Sequence, residues 1–164
     1  MAGRQLIIAV IGGGDGASPR AIALAEEVGF LLAKADAITL CGGLNGVMAA
    51  ACKGAKRGGG LTIGVLPGSS KGDANEHVDV PIVTAMSTAR NAIIVRTADA
   101  IIAIDGAYGT LTEMAYAFDL GKKVFALESW ELAKVGVDPA LFVAVRTPRE
   151  AVDRAMEEAR RERQ

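Results

Sequence analysis

Arg90 and Glu113 are the ionisable residues of this sequence best placed for chemistry: Arg90 lies where a helix opens, and Glu113 follows the glycine-bearing turn 105–110. Glycine just before a helix lets backbone N–H groups approach an anion, and the helix start adds roughly half a positive charge. Four such turns follow apolar runs: Gly12-Gly13-Gly14-Asp15-Gly16, Gly42-Gly43-Leu44-Asn45-Gly46, Pro67-Gly68-Ser69-Ser70 and Asp105-Gly106-Ala107-Tyr108-Gly109-Thr110. Tight packing of a helix on a strand explains one such loop as well as a ligand does. Four on one sheet edge point to a ligand. The candidate contacts are Gly12, Gly13, Gly42, Gly43, Asn45, Gly46, Pro67, Asp105, Gly106, Tyr108, Gly109 and Thr110. Helix starts after Asn45 and after Gly109 would form the phosphate cradle.

Arg90 lies in Met86-Ser87-Thr88-Ala89-Arg90-Asn91, which opens a helix. Its guanidinium fork suits a phosphate or carboxylate, although an ordinary surface arginine fits the local pattern equally well. Glu113 follows Thr110 by three residues, the spacing of a capping box that ties down a helix start. The competing expectation is that its carboxylate faces the ligand, near Arg90, and acts as a base.

The elements that must position these residues show in the hydrophobic pattern. Continuous apolar runs at 5–11, 37–41, 61–66, Ala100–Ile104, 123–127 and 141–145 read as strands buried on both faces. Helical patterns occupy Pro19–Lys34, 46–57, 88–97, 110–120 and 148–161. Ser18-Pro19 opens the first helix. Thr147-Pro148 opens the last, with Glu150 closing a capping box. The last helix would turn Ala151, Val152, Ala155, Met156 and Ala159 inward and Asp153, Arg154, Glu157, Glu158 and Arg161 outward. Strand–helix alternation implies an α/β, three-layer, doubly wound Rossmann-like domain over residues 1–164, with a mostly parallel sheet. In such a sheet ligands sit beyond the carboxyl ends of the strands, where the strand order reverses. The stretch 67–80 reads as one long irregular loop, functional or mobile.

Composition removes several classes. Hydrophobic residues make up 51% and charged residues 23%, so a filled core rather than disorder is expected. The longest apolar run, residues 6–11, falls far short of the ~18–20 residues that span a bilayer. Eighteen Lys+Arg against 19 Asp+Glu give a net charge of −1, which lacks the basic footprint of a nucleic-acid binder. Cys41 and Cys52 form no CxxC and His77 is the single histidine, so a metal site of usual composition is not expected. No signal segment is legible, and the cytoplasm is the expected compartment. The first glycine turn lacks the G-x-G-x-x-G spacing, which argues against a dinucleotide cofactor.

Cys41-Gly42-Gly43-Leu44-Asn45-Gly46-Val47-Met48 resembles the GG-x-x-G-[VL]-M segment of Rossmann-like proteins often labelled lysine decarboxylases. Thr62-Ile63-Gly64-Val65-Leu66-Pro67 is similar to the next strand of that superfamily, and residues 106–113 to its P-G-G-x-G-T-x-x-E signature. The superfamily includes the LONELY GUY phosphoribohydrolases and the molybdenum cofactor carrier proteins; the short chain looks closer to the carrier branch. The resemblance implies that Arg90 and Glu113 match the acting residues of the hydrolases. Asp105-Gly106-Ala107 replaces P-G-G, however, and Asn91 replaces a lysine. It implies a small phosphorylated ligand, either molybdenum cofactor or a nucleoside monophosphate, held in a carrier or storage role. The alternative is cleavage of the N-glycosidic bond of nucleoside 5′-monophosphates. No nucleic acid or membrane partner is expected. A homodimer or higher homo-oligomer is expected, both from the relatives and from the apolar residues Leu24, Val28, Leu31, Leu32, Val47, Met48 and Ala51 on the first two helices.

Overall fold

The computed structural model describes residues 4–132 and 138–163. Seven parallel strands form one sheet: β1 (Ile7–Gly12), β2 (Ile38–Cys41), β3 (Thr62–Leu66), β4 (Val80–Val83), β5 (Ala100–Ile104), β6 (Val124–Leu127) and β7 (Phe142–Val145). Their order across the sheet is β4-β3-β2-β1-β5-β6-β7. The chain winds outward from β1 to β4, then returns to lay β5 on the other flank of β1. The order therefore reverses between β1 and β5, which places a crevice beyond their carboxyl ends.

Side chains alternate across the strands, and the helices divide accordingly. Ile8, Val10, Ile102 and Ile104 face a core with α1 (Pro19–Lys34), α2 (Val47–Gly58) and α5 (Pro148–Glu162). Ala9, Ile11, Ile101 and Ala103 face a second core with α3 (Asn91–Thr97) and α4 (Tyr108–Asp119). The central strands are buried on both sides, which is why they read as unbroken apolar runs.

Three expectations are corrected. The stretch 67–80 is not wholly irregular: Lys71–Asp73 makes a 3-10 turn, and Val80 begins β4. This strand was missed because it lies at the sheet edge, with Val80, Ile82 and Val83 exposed and Pro81 within it, a residue tolerated only at edges. The α4 helix starts at Tyr108 rather than Thr110. Glu158, expected to face outward, is buried, and its carboxylate accepts hydrogen bonds from Lys123 Nζ at 3.0 Å and from Arg161 Nη2 at 2.6 Å.

The apolar surplus that suggested a dimer is largely absorbed within the chain. Val28, Leu31, Leu32, Val47 and Ala51 are buried where α1 packs on α2. The two helix backbones approach closely through Gly29 and Gly54. A Cβ on Gly54 would lie 1.8 Å from the Glu26 carbonyl oxygen, and one on Gly29 1.9 Å from that of Ala51. Backbone cannot swing aside, so Gly54→Ala should push the helices apart at a cost of about 2 kcal/mol, despite alanine's better helix propensity. A urea midpoint equal to that of the parent chain would contradict this.

Candidate functional site

A cavity of about 160 Å³ opens at the carboxyl edge of β1 and β5, lined among others by Gly12, Gly42, Met48, Arg90, Thr110 and Glu113. Arg90 reaches it from a 3-10 turn, Ser87–Arg90, that leads directly into α3. The side chain is buried, with only 8% of the residue exposed. Its Nη2 donates to the Gly42 carbonyl at 3.4 Å, and Nη1 donates to the Asn91 amide oxygen. A Cβ on Gly42 would sit 2.7 Å from Nη2 and 2.8 Å from Met48 Sδ. A methyl group at position 42 would therefore make the guanidinium and the Met48 side chain shift. Among the described residues Arg90 has no carboxylate within ion-pair distance, and its Nε has no hydrogen-bond partner. Burial lowers its pKa, while Glu113 and Cys41 act in the opposite direction.

Glu113 does not cap α4. The N-cap is Ala107, and Glu113 stands six residues further on, in the second turn. Its side chain lines the cavity together with Arg90, and 6% of the residue is exposed. Burial pushes its pKa up to about 7 against the pull of the Arg90 charge. A carboxyl with that value is half-protonated near neutrality, the condition under which one group can both donate and accept a proton. Thr110, on the same helix face, has a buried hydroxyl with no partner among the described residues.

Of the helices that begin at this edge, α1 has a side-chain cap whereas α2 and α4 do not. Ser18 caps α1 by accepting the Ala21 N–H, and Asp105 Oδ2 accepts the Ser18 N–H at 3.4 Å. Asp105 thereby bridges the end of β5 to α1, holding a left-handed backbone (φ 53°) to do so. Neither α2 nor α4 carries a side-chain cap. Apart from the Val47 N–H, which the Gly13 carbonyl accepts, their first-turn N–H groups and dipoles favour an anion.

The remaining candidates scatter around the cavity. Gly12, Gly42, Gly109 and Thr110 line it, as do Gly14, Met48, Asn91 and Ala107. The Gly13 carbonyl accepts the Val47 N–H at 2.9 Å and so joins the first turn to the start of α2. Gly46, the α2 N-cap, has φ 69°, and a Cβ there would lie 2.1 Å from the Gly14 oxygen. Asn45 donates to Asp15 at 3.0 Å and lines a separate surface hollow with Gly46, Lys53 and His77. The Pro67 carbonyl accepts the Ser87 N–H, fixing the turn that carries Arg90. Gly106 packs beneath Trp130, and Tyr108 projects from the rim with 82% exposure.

Sequence reasoning passed over Asn75. Its side chain donates to the carbonyls of Gly43 at 3.2 Å and Leu44 at 2.9 Å, and its backbone N–H also donates to Gly43. This one residue in the 67–80 stretch pins the second glycine turn. No local pattern announces such a role, because its partners lie about thirty residues away.

Comparison with known proteins identifies the fold and its setting. The SLOG cluster4 family matches residues 5–157. The chain belongs to this family. An uncharacterized protein of Archaeoglobus fulgidus is 40% identical over 149 residues, covering 89% of this chain and 91% of its own. The molybdenum cofactor binding protein of Rippkaea orientalis superposes with a TM-score of 0.88 at 34% identity, covering 94% of this chain and 97% of that one. The molybdenum cofactor carrier protein of Chlamydomonas reinhardtii gives 0.87 at 34% identity, covering 94% and 98%. Among the SLOG cluster4 residues of this chain, the doubly wound Rossmann-like architecture accounts for the full seven-stranded sheet.

Proposed function

We propose that this protein binds a phosphorylated, pterin- or nucleotide-like ligand, with molybdenum cofactor as the favoured cargo, and holds it in a carrier or storage role. The observation that carries the reading is the buried guanidinium of Arg90, which lacks a carboxylate partner among the described residues and shares a cavity with two uncapped helix starts. The solved carrier structures at 34% identity support the choice of cargo. Arg90 and the N–H groups at the start of α4 would hold the phosphate. The cavity is smaller than the ~300–1,000 Å³ of usual ligand pockets. The ring system would therefore lie outward, over the rim where Tyr108 is exposed. A homodimer remains part of this proposal; light scattering at 16.9 kDa would remove it.

A second reading draws on Glu113 at about 7, beside Arg90. In phosphoribohydrolase chemistry Arg90 would orient a nucleoside 5′-monophosphate while Glu113 activates water, a contribution of ~10²–10⁴-fold for acid–base catalysis. Titration with molybdenum cofactor and with AMP, followed by chromatography for free adenine, separates the two. Tight binding of the cofactor without release of base is expected. Release that disappears in Glu113→Gln would transfer the assignment to the hydrolase. Failure of both ligands to bind would end both readings.

A further inference from the structure

The sulfur atoms of Cys41 and Cys52 lie 3.4 Å apart, and neither residue has any solvent exposure. Both are free thiols. Cys41 ends β2, whereas Cys52 lies in the second turn of α2, so the pair stands between the sheet and the helix. The same sulfur is tied to the walls of the cavity. Gly43 donates its N–H to Cys41 Sγ at 3.3 Å, and the Cys41 thiol approaches the carbonyl of Met48 at 3.9 Å. The residue after Cys41 is Gly42, against which the Arg90 guanidinium rests without room for a methyl group.

We propose that Cys41 and Cys52 form a reversible intramolecular disulfide on oxidation by a hydroperoxide, and that this bond loosens the grip of Arg90 on an anionic ligand. The first half stands on geometry alone; the second rests on the anion-binding reading of the cavity. A disulfide needs its sulfurs at ~2.05 Å, so the pair must close by about 1.4 Å. The central strands and helices are densely packed, so the give must come from the Gly42–Gly43 turn and the first turn of α2. Both border Arg90.

Cys41 is the nucleophile. The Cys52 thiol, then the Gly43 N–H and the Arg90 charge, hold its pKa below the usual thiol value, against the effect of burial. Cys52 is held up by its bond to Cys41 and by burial, and stays protonated. The Cys41 thiolate attacks one oxygen of hydrogen peroxide; the O–O bond breaks and hydroxide leaves. That hydroxide takes the Cys52 proton and becomes water. The resulting thiolate attacks the Cys41 sulfur, forming S–S, breaking S–O and releasing a second hydroxide, which takes up the proton Cys41 had lost. Two thiols lose two electrons and peroxide becomes two waters. With both sulfurs fully covered, the reaction proceeds through transient opening at the start of α2.

The test treats the full chain with hydrogen peroxide and then measures intact mass, free thiols in denaturant, amide exchange over residues 42–48 and 90–91, and the affinity for inorganic phosphate. The expected result is a loss of about 2 Da and of both thiols, reversed by dithiothreitol and absent in Cys52→Ser. Exchange over those segments should quicken, and phosphate affinity should fall about fivefold or more, the worth of one weakened hydrogen bond. Two free thiols after oxidation would overturn the proposal. So would a disulfide that leaves exchange and phosphate affinity unchanged. If phosphate binds neither form, the anion-binding reading falls instead, and quickened or unchanged exchange decides this proposal by itself.

Discussion

Arg90→Ala is expected to weaken binding of a phosphorylated ligand by about 100-fold or more, because two charge-assisted hydrogen bonds, each worth ~1.5–3 kcal/mol, leave with the guanidinium. The side chain is buried, so its interaction with an anion is little screened by solvent or salt. Arg90→Lys retains the charge but not the planar fork, and should recover only part of the loss. The loss should appear in binding more than in folding. Removing the guanidinium leaves the Gly42 carbonyl and the Asn91 amide oxygen without their donor, but also relieves the burial of a charge. Calorimetric titration with AMP and with molybdenum cofactor checks the affinity, and thermal melting checks the fold. Affinity within threefold of the parent protein would take Arg90 out of the site.

Glu113 should make stability depend on pH across neutrality. Its folded pKa of about 7 lies above the ~4.3 of an unfolded glutamate, so the folded chain binds the extra proton more readily. Its stabilising contribution is therefore complete below about pH 4 and is lost as pH rises through about 7. The whole effect is on the order of 3 kcal/mol. Urea midpoints of the parent protein should fall from pH 5 to pH 8, while those of Glu113→Gln stay nearly level. The groups with lowered carboxylate values, Asp79 and Glu128, titrate below this window and do not compete in it. Parallel curves for the two proteins would show that the carboxyl is not held above its ordinary value. Ligand binding should follow the same titration. An ionised Glu113 repels an anion at Arg90, so affinity should weaken above neutrality in the parent and remain flat in the glutamine variant.

Much of the architecture was legible because it is written locally. Unbroken apolar runs such as Ala100–Ile104 identify strands covered on both faces, and the doubly wound order follows from their alternation with helices. Ser18 and Thr147 act as caps by bonds to residues three positions on, a distance that sequence spacing records directly. Resemblance through the glycine motifs led to the superfamily setting of the family that residues 5–157 match. β4 escaped notice because an exposed edge strand lacks the apolar run that burial on two faces imposes.

Only the tertiary structure decided where Glu113 sits. Its spacing from Thr110 fits a capping box, but α4 begins earlier, at Tyr108, and turns the carboxyl into the cavity. The same holds for Gly42, whose missing side chain leaves room for a guanidinium 48 positions away, and for Asn75, which anchors a turn some thirty positions before it. Cys41 and Cys52 meet because the end of β2 and the second turn of α2 pack together. Sequence by itself determined which segments become strands and helices, since hydrogen bonds within a segment and the period of its apolar residues are short-range. Which side chains share a cavity, and how far burial shifts their protonation, depends on sheet register and helix packing, and these exist only once distant segments have met.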